Sequence, residues 1–250
     1  MNIAAVASRA VTPLVYIVAL VVWEILARSL KIPLWMLPAP TMIAAAAIEW
    51  APELLSNSIV TTRETVLGFL LALVISLPLA CAIAFSTWAR KIIYPAILGL
   101  QSIPKVALAP LVTLWLGFTE WPKIVIVVLV CFFPILVNVV AGFESVPKSM
   151  VDLMRSLNAP QHLVLWRLRV PAALPAFFTG CKIAITFAVI GAVIAEFVAA
   201  QEGLGYLILM STSQSQTPLA FAAIIALTAI SILLFYILEF IEKKTITWTP

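Results

Sequence analysis

Residues 144–175 read Glu-Ser-Val-Pro-Lys-Ser-Met-Val-Asp-Leu-Met-Arg-Ser-Leu-Asn-Ala-Pro-Gln-His-Leu-Val-Leu-Trp-Arg-Leu-Arg-Val-Pro-Ala-Ala-Leu-Pro, the longest polar interruption in a sequence otherwise close to continuous hydrocarbon. Met150, Leu153, Met154 and Leu157 recur at i, i+3, i+4 and i+7, with Lys148, Ser149, Asp152, Arg155 and Ser156 between them. That period predicts a short two-faced helix. Ser145 suits its N-cap, and Pro147 suits a first turn, where a missing N–H costs little. Asn158 tolerates the left-handed conformation that ends a helix. A second helical turn can begin at Pro160 and carry Gln161, His162, Leu163 and Trp166, before Arg167 and Arg169 close the stretch. Such a helix either lies among lipid headgroups or docks a protein on the inner face of a membrane.

The rest of the chain supplies that membrane. Apolar residues are 64% of the sequence and charged residues 10%, and the mean hydropathy is +1.15. Soluble domains are about half apolar and a quarter charged, so a soluble enzyme is excluded. With ~20 residues per crossing, the 250 residues allow about six spans with short connections. The net charge of +4 comes from basic residues scattered along membrane edges, which does not point to nucleic acid. Cys81, Cys131 and Cys181 stand singly in apolar runs and read as packing residues.

Taken in order, residues 13–27 form a retained first span. Pro40 opens a short helix along the outer interface, anchored by Trp35 and Trp50. A polar lead at 56–65 runs into the second span at 66–85. The third apolar segment, 92–116, is broken at 101–105 and again at Pro110. The fourth span covers 124–140 and the fifth 171–199, in which Lys182 and Glu196 are the only charges. Residues 206–217 read as a polar re-entry or interfacial helix, and 219–238 as the sixth span. With both termini inside, Arg9, Arg90, Lys91, Lys148, Arg155, Arg167, Arg169, Lys243 and Lys244 are cytoplasmic. Arg28, Lys31, Arg63 and Lys123 are outside, which satisfies the positive-inside rule.

Broken backbone in a bilayer is tolerated where protein or a watery cavity satisfies it. Gln101, Ser102, Lys105 and Asn138, with Lys182, Thr186 and Glu196 of the fifth span, are therefore the candidates for lining a path. Lys182 and Glu196 either pair or face opposite ways. A cationic path would suit a small anion, and a neutral heterocycle is the other option. No Gly-rich loop ending in Gly-Lys-Ser/Thr is present, so the chain does not cradle nucleotide phosphates itself. His162 is the single histidine, which leaves metal or triad chemistry without a second partner. A secondary transporter or channel would want paired, internally repeated spans with buried acids, and no repeat is visible. A structural subunit without a path is disfavoured by the broken third segment.

The central stretch resembles the cytoplasmic "EAA loop" of ABC importer permeases, in which Glu-Ala-Ala, three residues, Gly, nine residues and Ile-x-Leu-Pro recur. Asp152-Leu153-Met154 stands for the triplet, Asn158 for the Gly and Leu168-Arg169-Val170-Pro171 for the closing signature. Asp for Glu conserves charge, Asn for Gly keeps the turn chemistry, and Leu-Met for Ala-Ala is bulkier. Ile103-Pro104-Lys105-Val106-Ala107-Leu108-Ala109-Pro110-Leu111, Leu114-Trp115-Leu116-Gly117-Phe118, Phe132-Phe133-Pro134-Ile135, Ala195-Glu196-Phe197 and Gly203-Leu204-Gly205-Tyr206 are similar to the nitrate/sulfonate/taurine branch of these permeases. They cover roughly residues 65–240.

The resemblance implies an all-α polytopic membrane protein of the type I importer kind, a single permease domain with about six transmembrane helices and a cytoplasmic coupling helix. It implies a bacterial inner-membrane location with both termini cytoplasmic. Two ATPase subunits, a second permease copy making a homodimer, and a substrate-binding protein would be the partners, beside the lipid bilayer. ATP and Mg would be bound by the ATPase, with no cofactor in this chain. Ser145, Pro147, Ser149, Met150, Asp152, Leu153, Met154, Arg155, Leu157, Asn158, Ala159, Pro160 and His162 would form the ATPase-coupling surface. A nitrate, sulfonate or taurine-like anion, or a small organic such as a pyrimidine precursor, would be the cargo.

Overall fold

The computed structural model describes residues 3–30 and 32–248, with side chains from residue 14 onward; Lys31 and the side chain of Arg9 lie outside the described residues. The described chain is helical throughout, joined by short turns. In order the helices are α1 (Ile3–Ser29), α2 (Pro40–Glu49), α3 (Ala51–Phe85), α4 (Tyr94–Gln101), α5 (Ala109–Leu116), α6 (Trp121–Glu144), α7 (Lys148–Ser156), α8 (Gln161–Val164), α9 (Val170–Ala199), α10 (Leu204–Ser213) and α11 (Thr217–Thr245). Four uninterrupted helical segments among the described residues are long and apolar enough to cross a bilayer: α3, α6, α8 running on into α9, and α11. The pair built on α4 and α5, bent by 84°, meets the same length and composition test when its two arms are taken together. The remaining expected span falls on α1, part of whose side chains lie outside the described residues.

The centre of the bundle is α3, α6 and α9, which share one buried cluster running from Phe69 to Ala192. Lipid tails are as apolar as leucine, so helices in a bilayer gain from close backbone approach more than from hydrophobic exclusion. The sequence supplies that approach. Gly180, Ala184, Ala188, Ala192 and Ala195 are all buried on α9, and a Cβ at Gly180 would lie 2.8 Å from the Asn138 Cβ of α6. On α3 a Cβ at Gly68 would lie 2.5 Å from Val127. Cys131 and Cys181 are buried in the same cluster as packing residues, and the Cys131 thiol donates to the Ala184 carbonyl at 3.2 Å.

Two rings of exposed aromatics mark the ends of the bundle. Trp88, Trp166 and Trp248 are exposed at the end that carries α7, and Trp35, Trp115, Phe118 and Trp121 are exposed at the far end. Amphipathic rings concentrate at the two membrane–water interfaces. The face of α1 from Leu14 to Leu26 is exposed and apolar, as expected of a helix set against lipid. At the far end Glu24 accepts from the Thr41 N–H at 3.0 Å and from its hydroxyl at 2.8 Å, tying α1 to α2.

Three expectations are corrected. The polar lead at 56–65 is no separate segment, because α3 runs unbroken through it. Ser145 does not cap the two-faced helix: α6 continues to Glu144, and the Ser145 hydroxyl turns back to the Gly142 carbonyl at 2.8 Å. Lys123 is no exposed topological cation. It lies in the first turn of α6, buried, and pairs with the equally buried Glu64 of α3.

That ion pair is costly to break on one side. Removing one member of a buried pair costs about 3–5 kcal/mol, whereas replacing both by apolar residues of similar volume is often neutral. Lys123→Met should therefore lower the thermal stability of the detergent-purified protein sharply, and Lys123→Met with Glu64→Leu should restore most of it. Equal losses in the single and the double variant would show that the pair itself does not hold α3 to α6.

Candidate functional site

The central polar stretch folds as its period requires, with one adjustment of face. Pro147 sits at the N-cap with φ −57° and ψ 135°, and α7 runs from Lys148 to Ser156. Asn158 takes φ +54°. Behind it the Asn158 N–H reaches the Arg155 carbonyl at 2.9 Å and the Ala159 N–H reaches that of Met154 at 3.0 Å, closing the helix end. Pro160 caps α8, which carries Gln161 and His162. A wide π turn, Leu165–Arg169, then leads into α9 without interruption. The closing signature is thus helical, and Arg169 ties it to the end of α3: its Nη1 donates to the Ala84 carbonyl at 3.3 Å, and its guanidinium lies 4.8 Å over the Phe85 ring.

Of the four apolar residues predicted to share a face, Met154 turns partly inward beside Val151, while Met150, Leu153 and Leu157 are 51%, 61% and 70% exposed. Asp152 is also exposed, with Arg155 3.5 Å away. Ser149, Pro160 and His162 are exposed, and Ala159 is half-buried. α7 therefore presents an uncovered apolar row on a helix that projects from the bundle, flanked by charge.

The broken third segment is real. A π turn (Ala89–Ile93) and α4 meet a 3-10 turn (Lys105–Leu108) and α5 at 84°. Gln101 and Ser102 are exposed at the bend. The Lys105 ammonium folds back to donate to the Gln101 carbonyl at 3.0 Å and stands 4.7 Å over the Phe133 ring. Asn138 is half-buried against α9, with its amide donating to the Pro134 carbonyl at 2.8 Å.

The two charges of α9 part company. Lys182 pairs with Glu242 of α11 at 2.6 Å. Glu196, fully buried, accepts from the Thr61 hydroxyl at 2.7 Å and from the Gly205 N–H at 2.6 Å. Asn57 accepts from the Gly203 N–H at 2.7 Å, and Thr61 accepts from the Leu204 N–H at 2.8 Å. Two separate stretches, Ala195-Glu196-Phe197 and Gly203-Leu204-Gly205-Tyr206, are therefore one device that holds the first turn of α10 to α3 and α9. Thr186 is exposed on α9, its hydroxyl donating to the Lys182 carbonyl at 3.1 Å. Asn57, Thr61, Glu64 and Glu242 were not singled out from the sequence. Asn57, Thr61 and Glu64 fall at i, i+4 and i+7, one helical face, which is the signal that would have found them.

The sequence of this helical bundle is similar to that of known proteins. Residues 65–247 match the model of the family described as "Binding-protein-dependent transport system inner membrane component". The chain belongs to that family. Relatives include the formylaminopyrimidine transport permease of Halalkalibacterium halodurans, 34% identical over 94% of each chain. The riboflavin transport system permease of Chloroflexus aurantiacus is 31% identical over 94% of this chain and 89% of its own. A putative aliphatic sulfonates transport permease of Bacillus subtilis is 28% identical over 92% of this chain and 84% of its own. Membership makes the chain a multi-pass inner-membrane transport permease of the ABC type rather than an enzyme, with an ATPase and a binding protein implied as partners.

Proposed function

We propose that the chain is the path-forming subunit of an ATP-driven importer, with α7 seated in a cleft of a separate ATPase on the cytoplasmic side. Two permease copies and two ATPase subunits make up the assembly, and ATP and Mg are held by the ATPase. The observation that carries this reading is the exposed row Met150, Leu153 and Leu157, on a helix at the bundle end rich in Arg and Lys. Closure of the ATPase pair on ATP moves each α7 as a rigid rod, and the spans switch between discrete packed arrangements rather than bending. In this arrangement the start of α1 and the end of α11, like α7, face the cytoplasm, and both termini with them.

The binding protein delivers cargo at the far end. Gln101 and Ser102 at the bend and Thr186 on α9 line its route. Thr186 opens on an apolar cleft of about 530 Å³ between α9 and α11, edged by Phe197, Thr228 and Ser231. Lys182 is neutralised by Glu242, and Lys105 is engaged by a carbonyl and a ring. That lining favours an uncharged heterocycle over a small anion, in keeping with the formylaminopyrimidine and riboflavin permeases among the relatives.

Cysteine accessibility tests the orientation on which the docking depends. Met150→Cys and Arg155→Cys should react with an impermeant thiol reagent in inverted vesicles and stay unlabelled in intact spheroplasts. Reaction only from the periplasmic side would place α7 beyond the reach of an ATPase and end the proposal.

A further inference from the structure

Behind α7 the bundle holds a second feature, which shares only Asp152 and Arg155 with the docking face. A cleft of about 380 Å³ opens between the ends of α3 and α6, the start of α9 and the inner face of α7. Arg90, Lys148, Arg155 and Arg169 line it, with Glu144 and Asp152. Glu144 is taken by Arg90 at 2.9 Å, and Asp152 lies 3.5 Å from Arg155. Four cations against two carboxylates leave two positive charges over, and Lys148 and Arg169 have no carboxylate partner among the described residues. The Nε of Arg169 is buried without an acceptor.

Ala84, Phe143, Val146 and Val151 complete its lining with apolar side chains. Its two flanking turns carry the exposed Trp88 and Trp166, residue types that sit at headgroup depth. A basic pocket between membrane helices at the cytoplasmic boundary, set between interfacial tryptophans, is suited to a lipid phosphate.

We propose that this cleft binds the phosphate of an anionic phospholipid from the cytoplasmic leaflet, with Lys148 and Arg169 as its main contacts, so that the lipid fastens α7 to the bundle. The inference rests on the cytoplasmic placement of α7 proposed above. Shared phosphate chemistry makes free inorganic phosphate the competing source, and the four apolar lining side chains with the two flanking tryptophans favour the lipid.

Native mass spectrometry of the complete transporter, delipidated and then titrated with phosphatidylglycerol or phosphatidylcholine, reads the site directly. Preferential retention of phosphatidylglycerol is expected. Lys148→Gln and Arg169→Gln should each weaken it on the order of fivefold, at about 1 kcal/mol per basic residue. Lys148→Arg and Arg169→Lys should retain it, which separates lost charge from lost folding. Equal retention of the two lipids, or unchanged retention in both Gln variants, overturns the proposal. So does displacement of phosphatidylglycerol by millimolar inorganic phosphate, which would assign the cleft to a free anion. Co-purification of the ATPase is scored in the same spectra. Its loss with lipid selectivity intact counts against α7 docking and leaves the lipid site standing.

Discussion

Leu157→Asp should reduce cargo-stimulated ATP hydrolysis by the reconstituted transporter to its unstimulated level, while the permease still inserts and keeps its melting temperature. Leu157 is 70% exposed at the C-cap of α7, so in the isolated permease a carboxylate there meets water and costs little. Against an ATPase cleft the same carboxylate is desolvated without a partner. Truncating a central interface anchor typically costs 2 kcal/mol or more, and burying a charge adds to that. The expected loss in ATPase affinity is therefore at least about thirtyfold. Asp152→Lys attacks the same surface by charge reversal and should also uncouple. The position beside the left-handed Asn158 matters, because a rod transmits motion only if its end is fixed. Coupled uptake at wild-type rates in both variants would remove α7 from the transmission of force.

What the sequence made legible follows from what a bilayer demands. Apolar runs of crossing length have few alternatives to helix, because every backbone polar group must be satisfied internally. The four long crossings emerge close to their predicted places. The break around Pro104 was visible because proline next to polar residues in an apolar run has a strong local meaning, and Asn158 was visible because Asn tolerates the left-handed conformation that ends a helix. Pairings between distant positions were not legible. Lys182 finds Glu242 sixty residues away, and Thr61 reaches Glu196 across 135. Period and composition carry no information at that range. Lys123 was misplaced because a cation at the edge of an apolar run looks interfacial until its partner is known, and Glu64 sat unread in the polar lead. The face of α7 was right in period but divided in use, since Met154 leans inward while Met150, Leu153 and Leu157 point away.

The Glu196 clamp carries the largest expected effect on stability. Gly203 has φ +113° and ψ 161°, a region essentially closed to residues with a Cβ. A Cβ there would also fall 2.2 Å from the Glu196 Oε1. Gly203→Ala thus adds backbone strain of about 1–3 kcal/mol to the displacement of a carboxylate that accepts two short hydrogen bonds. Bonds to a charged group are worth about 1.5–3 kcal/mol each, so a total above ~3 kcal/mol is expected, a fall in melting temperature on the order of 6–12 °C. Glu196→Gln is the sharper probe. Its amide supplies one acceptor where the carboxylate supplies two, so either the Thr61 hydroxyl or the Gly205 N–H is left facing an NH₂ group. The Gln variant should lose about half as much stability as Glu196→Ala. The double variant Gly203→Ala with Glu196→Gln should cost less than the two single losses added together, because both break the same contacts. A Glu196→Gln permease that keeps its full melting temperature and loses only uptake would move Glu196 from this clamp to the cargo route.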